Sequence, residues 1–202
     1  MHLLLLRGNL FYMFEKLVLT LLIFAWITWG SLEVWVSVRE RGTITKSHDK
    51  NSSWVILSLA AVALSGGVLV SQILPIFSIS TPTVSRFIGT CIMFCGIIFR
   101  IWSINTLGKF FRSTVMIQKG HPVITSGPYR FIRHPSYTGS LLIFSGAGIA
   151  LNNWLSLLVM VLFMFIAYTY RVAIEEKTLA GFLGKEYLAY QRRTKRFLPM
   201  IF

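Results

Sequence analysis

Charged residues are scarce in this chain of 202 residues, and acidic ones are the scarcest. Asp, Glu, Lys and Arg make up 13% of the sequence, against 54% hydrophobic residues, whereas a water-soluble domain carries about 25% charged residues. A disordered chain is excluded as well, because such a chain holds few apolar residues. The composition therefore predicts a protein that lies in a membrane.

Cysteine is nearly absent: Cys91 and Cys95 lie four residues apart in an apolar tract. Two such thiols exclude a disulfide framework, and a metal site would need further ligands that the tract lacks, so we expect no metal. The net charge of +13 would suggest nucleic acid for a soluble protein. Here Lys and Arg lie between apolar tracts, so we expect membrane lipids and no nucleic acid as partners.

Four long apolar tracts predict the membrane spans, since a helix needs about 20 residues to cross the hydrocarbon core. The tracts cover residues 11–35, 54–79, 84–106 and 137–170. The last would be about 50 Å long as one helix, which is too long for a bilayer. Asn152 and Asn153 divide it into two arms, so the sequence predicts an all-α integral membrane protein of about five transmembrane helices, with a C-terminal helical hairpin.

The basic residues indicate how these helices are oriented. If five spans alternate, sixteen Lys and Arg fall on one side: Arg39, Arg41, Lys46, Lys50, Lys109, Arg112, Lys119, Arg130, Arg133, Arg171, Lys177, Lys185, Arg192, Arg193, Lys195 and Arg196. Positive charge favours the cytosolic side, so we expect the C-terminal tail in the cytosol. Arg100 lies inside the third tract, and we expect its side chain to extend along the helix toward that side.

Polar chemistry concentrates in residues 121–137 and 171–199. Pro135 suits the first turn of a helix, whose free N–H groups attract a carboxylate or phosphate. Arg171 and Glu175 are four residues apart and share one helix face. Taken singly, these side chains are typical interfacial anchors or a surface ion pair. The hairpin, however, brings the two segments together and predicts a pocket that is half aqueous and half lipid-facing.

Two motifs resemble the isoprenylcysteine carboxyl methyltransferase family, together with its phospholipid methyltransferase relatives. The first is Arg133-His134-Pro135-Ser136-Tyr137-Thr138-Gly139, and the second begins Glu175-Glu176-x2-Leu179-x4-Gly184. The resemblance starts near Leu107, so we divide the chain into an N-terminal three-span membrane region, residues 1–106, and a methyltransferase core, residues 107–202. The core contains the hairpin and a cytosolic C-terminal helix. Two departures from the family pattern are Met116, where eukaryotic members have Gln, and Leu183, which replaces Phe.

The resemblance implies an S-adenosyl-L-methionine-dependent methyltransferase. The methyl acceptor would be the carboxylate of an isoprenylcysteine, or a similar lipophilic molecule that enters from the bilayer. Arg171 and Glu175 would be catalytic, and Arg171 would face the substrate. The cofactor would contact His121, Pro122, Val123, Ile124, Tyr129, His134, Pro135, Ser136, Tyr137 and Glu175 in a pocket on the cytosolic face.

Other functions remain open from the sequence. The acceptor could be a phospholipid or a small thiol, and an amine or thiol acceptor would need a proton acceptor such as His134. A sterol-reductase-like enzyme that uses NADPH is a second class, and a non-catalytic membrane protein is a third. The resemblance places the multi-pass protein in a bacterial inner membrane or the endoplasmic reticulum.

Overall fold

The computed structural model describes residues 2–40, 52–112 and 122–198, and within these it is helical with two isolated β-bridges. Met116, His121 and Pro199 lie outside the described residues. The six α-helices are α1 (His2–Glu40), α2 (Ser52–Ile73), α3 (Pro82–Leu107), α4 (Pro135–Ala150), α5 (Trp154–Leu183) and α6 (Lys185–Arg193). Short 3-10 turns cover Pro75–Phe77, Gly108–Phe110 and Gly127–Arg130.

Four of the helices, α1, α2, α3 and α5, are long and apolar enough to cross a membrane. The remaining arm of the predicted hairpin is α4, which has 16 residues and is about 24 Å long at 1.5 Å per residue. It packs against α5 as the first arm of the predicted hairpin, so the all-α membrane fold with a C-terminal hairpin is confirmed. The second arm continues as one helix past Tyr170 to Leu183, and it carries Arg171 and Glu175 out of the span.

Contacts at the two ends of the bundle show that the helices alternate in direction. At one end, Thr83 of α3 donates a hydrogen bond to Glu15 of α1 at 2.5 Å. At the other end, Arg100 of α3 pairs with Glu33 of α1 at 2.8 Å, and Arg171 of α5 donates to Ser52 of α2. The candidate site described below therefore lies at the end of the bundle where α2 and α4 begin.

Helices α3 and α4 pack through two pairs of glycines. A Cβ atom placed on Gly146 would lie 2.5 Å from the carbonyl oxygen of Gly89, and one on Gly96 would lie 2.6 Å from that of Gly139. These distances leave no room for any side chain between the two backbones. Small residues allow such close approach of membrane helices, where packing rather than hydrophobic burial drives association.

The hairpin turn depends on both asparagines. Asn152 adopts a φ of +56°, a left-handed conformation that Asn tolerates better than most residues, and its Oδ1 accepts a hydrogen bond from Ser85 Oγ at 2.7 Å. Asn153 caps α5 by accepting from two backbone N–H groups at 3.0 Å, and its Nδ2 donates to the Leu74 carbonyl at 2.7 Å. The turn is thus bonded to the loop between α2 and α3.

The Arg100 side chain stays inside the bundle, and its partners lie toward the end at which α2 and α4 begin. Its side chain is buried, with Nε and Nη2 at 2.8 and 2.9 Å from the Glu33 carboxylate. Nη1 donates to the Ser136 carbonyl oxygen at 3.1 Å and to Ser136 Oγ at 2.8 Å. The carboxylate compensates the guanidinium inside the bundle, so α1 and α3 are joined to the first turn of α4.

Candidate functional site

The start of α4 is held by the segment that follows α6. Ile132 and Lys195 form a parallel β-bridge, in which the Arg133 N–H donates to the Lys195 carbonyl at 2.7 Å and the His134 N–H to the Arg196 carbonyl at 3.0 Å. Thr138 Oγ1 donates to the Phe197 carbonyl at 2.8 Å. Pro135 then begins the helix, where its missing N–H costs nothing. These bonds fix the direction in which the first residues of α4 point.

Glu176 is the centre of a buried ionic cluster beneath this helix start. Its carboxylate lies 2.7 Å from Arg133 Nε, 2.9 Å from Arg196 Nη2 and 3.3 Å from His134 Nε2. The side chains of Glu176 and Arg133 are 7% and 10% exposed. Arg133 also donates to the carbonyls of Gln191 and Thr194, so the cluster joins α4, α5 and the segment after α6.

His134 lies between two carboxylates. Its Nε2 faces Glu176, and its Nδ1 is 3.9 Å from Glu175 Oε2. The same Glu175 oxygen accepts a hydrogen bond from the Tyr137 hydroxyl at 3.0 Å. Tyr137 stacks between the His134 ring, at 5.8 Å between centroids, and the Tyr168 ring, at 4.9 Å. Glu175 is consequently oriented by the first turn of α4, while its side chain stays 29% exposed.

A pocket that is partly open to solvent adjoins Glu175. Glu175 and Tyr137 lie on its wall, together with Leu107, Phe110 and Phe111 from the end of α3 and the residues that follow it. The pocket is therefore apolar and aromatic with a carboxylate on one wall, which is the kind of lining that small-molecule sites have.

Three tyrosines line the same pocket: Tyr129, Tyr187 and Tyr190. Burial raises the pKa of Tyr129 and of Tyr187 well above the ordinary value, and it raises the pKa of Tyr190 to about 12. The Tyr190 hydroxyl donates to the Tyr129 carbonyl at 2.6 Å. All three phenols stay protonated at neutral pH, so they add no negative charge beside Glu175.

Eight of the sequence-predicted residues line this pocket: Pro122, Val123, Ile124, Tyr129, His134, Ser136, Tyr137 and Glu175. Pro135 begins α4 without lining it, and His121 lies outside the described residues. Arg171 does not line the pocket either. It is buried one helical turn before Glu175, where it donates to Ser52 and lies near Tyr137. Its predicted role at the substrate stays a prediction.

Sequence reasoning did not assign several residues that build the site. The motifs contain Glu176 only beside Glu175, and nothing in the sequence assigns Tyr187 or Tyr190 to the pocket. Phe110 and Phe111 were not singled out, although they follow an apolar span directly. An adjacent pair of acids in a membrane protein with seven Asp and Glu was itself a signal that both carboxylates matter.

Known proteins resemble part of this chain. Residues 88–181 match the isoprenylcysteine carboxyl methyltransferase (ICMT) family. This part of the chain is related to the ICMT family. The match begins at Ile88 within α3, earlier than the resemblance that we drew from the motifs, and the division of the chain at residues 106 and 107 stays a prediction.

Curated relatives cover a similar part of the chain. A probable protein-S-isoprenylcysteine O-methyltransferase of Oryza sativa subsp. indica is 32% identical over 117 residues, which are 57% of this chain and 61% of that protein. The Tribolium castaneum protein-S-isoprenylcysteine O-methyltransferase is 34% identical over 116 residues, 56% of this chain and 41% of that protein. The chain thus spans less than two thirds of these ICMT relatives.

A solved structure resembles the fold. The eukaryotic intramembrane Ras methyltransferase ICMT, solved without a monobody, matches with a TM-score of 0.57 and 25% sequence identity. The match covers 76% of this chain and 54% of that one. The ICMT relatives are methyltransferases by name, an activity that requires a methyl donor, and the matched structure is intramembrane, as the four long apolar helices here indicate.

Proposed function

We propose that the protein is an integral-membrane methyltransferase that uses S-adenosyl-L-methionine. It would methylate the carboxylate of an isoprenylcysteine or a similar lipophilic acceptor that enters from the bilayer. The observation that carries the proposal is the position of Glu175, whose oriented carboxylate lies on the wall of an aromatic pocket at the start of α4. The names of the ICMT relatives support the same reaction.

The pocket fits the proposed methyl donor in two respects. Glu175 offers a negative charge to the donor's cationic groups, and the aromatic rings of Tyr129, Phe110 and Phe111 line the same pocket. When bound, S-adenosyl-L-methionine supplies a methyl group activated on a sulfonium, which a carboxylate oxygen accepts as a methyl ester.

The acceptor would meet apolar and basic side chains. Phe110 and Phe111 line the pocket beside the end of α3, a helix that faces lipid along its exposed side, so an acyl or prenyl chain can lie against them. A carboxylate is already a nucleophile at neutral pH, so the chain need supply no general base. We propose that Arg171 orients it, since a guanidinium binds a carboxylate through two parallel N–H groups; this role requires the acceptor to reach beyond the pocket wall, where Arg171 is buried.

Titration of the purified protein with S-adenosyl-L-methionine tests the donor site. We expect the wild type to bind it and not NADPH, and we expect Glu175→Gln to weaken binding at least about tenfold, because a charged partner is lost. Glu186→Gln is the matched control, since Glu186 is exposed on α6. An unchanged affinity in Glu175→Gln would remove Glu175 from the site, and NADPH binding would favour the reductase alternative.

Arg171→Lys is expected to lose methyl transfer to a prenylcysteine acceptor and to keep its affinity for the donor.

We propose further that the pocket faces the cytosol of a bacterial inner membrane or of the endoplasmic reticulum. In a Cys91→Ala, Cys95→Ala background, single cysteines are placed at Ile76, in the loop at the Asn153 end, and at Leu188 on α6, both of which are exposed. An impermeant maleimide is expected to label position 76 from outside and position 188 only after permeabilisation. Labelling of both from one side would contradict the five crossings, and the reverse pattern would contradict the orientation.

A further inference from the structure

A second cavity lies at the opposite end of the bundle from the candidate site, next to the hairpin turn. It has a volume of about 500 Å³ and is partly open at the surface. Side chains from α1 to α5 contribute to its wall, including Leu22 of α1, Val68 of α2, Arg86 of α3 and Met160 of α5. It is separate from the Glu175 pocket, because the two share no lining residue.

This cavity has an apolar interior and a polar rim. Leu22, Trp26 and Met160 line the interior. Ser71 and Ser78 lie at the far end of α2 and in the loop that follows it, close to the turn where the spans end. This arrangement matches the bilayer itself, in which hydrocarbon gives way to polar head groups at the ends of the spans.

Arg86 is the charged residue of the rim. It is half-buried in the second turn of α3, and no Asp or Glu lines the cavity. The ion pairs among the described residues involve Glu33, Glu175 and Glu176, all of them at the other end of the bundle. At the Arg86 end, the Glu15 carboxylate accepts from Thr83. The positive charge of Arg86 is therefore not balanced by a carboxylate of the cavity wall.

We propose that this cavity binds one anionic phospholipid from the leaflet opposite to the candidate site. An acyl chain would fill the apolar interior, and the phosphate would lie at the rim against the Arg86 guanidinium. A guanidinium binds phosphate through paired N–H groups, and a charge near hydrocarbon is stabilised by such a partner. The apolar interior selects a lipid over free phosphate, because inorganic phosphate would leave that volume without apolar contacts.

Native mass spectrometry of the protein released from nanodiscs tests this proposal. The nanodiscs contain either phosphatidylcholine alone or phosphatidylcholine mixed with phosphatidylglycerol. We expect the wild type to retain one phosphatidylglycerol molecule, and Arg86→Gln to retain it roughly tenfold less. Lys16→Gln is the control, since Lys16 is an exposed cation at the same end that does not line the cavity. Its retention should equal that of the wild type.

Four further outcomes test the proposal. Met160→Trp, which fills the interior, is expected to reduce retention even though Arg86 is kept, and thermal unfolding shows whether this variant folds. Equal phosphatidylglycerol retention in the wild type and Arg86→Gln would overturn the proposal, as would equal retention of phosphatidylcholine. Displacement of the lipid by excess inorganic phosphate would show that the site recognises a free anion and would also overturn it.

Discussion

Glu176→Ala is expected to lower the free energy of unfolding by about 3–5 kcal/mol, because it leaves Arg133 and His134 buried without their carboxylate. The loss should also release the segment after α6, since Arg196 bonds the same carboxylate. Chemical unfolding in detergent, monitored by circular dichroism, measures the change. Because the cluster holds the start of α4, donor binding at Glu175 should weaken as well, although Glu176 does not line the pocket.

Glu186→Ala is the matched control for Glu176→Ala. Glu186 is exposed on α6, and its loss is expected to change the free energy of unfolding by less than about 0.5 kcal/mol. Glu176→Gln tests the contribution of the charge to stability separately from that of the side-chain shape. The amide keeps a hydrogen-bond acceptor for Arg133 but carries no negative charge. If Glu176→Ala unfolds at the same denaturant concentration as Glu186→Ala, the cluster does not stabilise the protein in the way that its geometry indicates.

Gly146→Ala is expected to separate α3 from α4. The new Cβ would lie 2.5 Å from the Gly89 carbonyl oxygen and 2.7 Å from the Met93 nitrogen, and neither backbone atom can move aside alone. Overpacking of this kind costs about 1–3 kcal/mol, which exceeds the gain of about 1 kcal/mol in helix propensity from Gly to Ala. Gly146→Val, whose side chain is larger, should yield little folded protein, as measured by monodisperse recovery from detergent.

Two glycines serve as controls for Gly146. A Cβ on Gly30 or on Gly181 would have no atom within 4 Å, so Gly30→Ala and Gly181→Ala should be neutral or slightly stabilising. If Gly30→Ala is destabilised as much as Gly146→Ala, the loss of stability is caused by helix propensity or by membrane insertion and not by the contact between α3 and α4.

The fold was largely predictable because every helix that crosses the hydrocarbon core of a membrane must meet a simple sequence requirement. Each span must be apolar over about 20 residues, and the uncharged tract from Tyr137 to Tyr170 was too long for one crossing. The pair Asn152 and Asn153 marked the turn, and the structure shows why: one residue adopts a left-handed backbone and the other caps α5. These are local properties of the turn, which can be predicted directly from its residues.

The ionic contacts of the site were less predictable because they join residues far apart in the chain. Arg100 and Glu33 are separated by 67 positions, and neither has a neighbour that reveals the other. Glu175 and Glu176 are adjacent, yet consecutive residues of a helix point in different directions, so one reaches the pocket and the other reaches Arg133. Only the packing of α4 and the segment after α6 distinguishes the two carboxylates.

The β-bridge between Ile132 and Lys195 has a consequence for biosynthesis. A ribosome that has just completed α5 has made the membrane-crossing helices of the described residues, but not the carbonyls to which Arg133 and His134 donate. The wall of the pocket is therefore finished late, after the helices have been translated. A transcript interrupted within α6 would yield a polypeptide that has the helices α1 to α5 and an incomplete pocket wall.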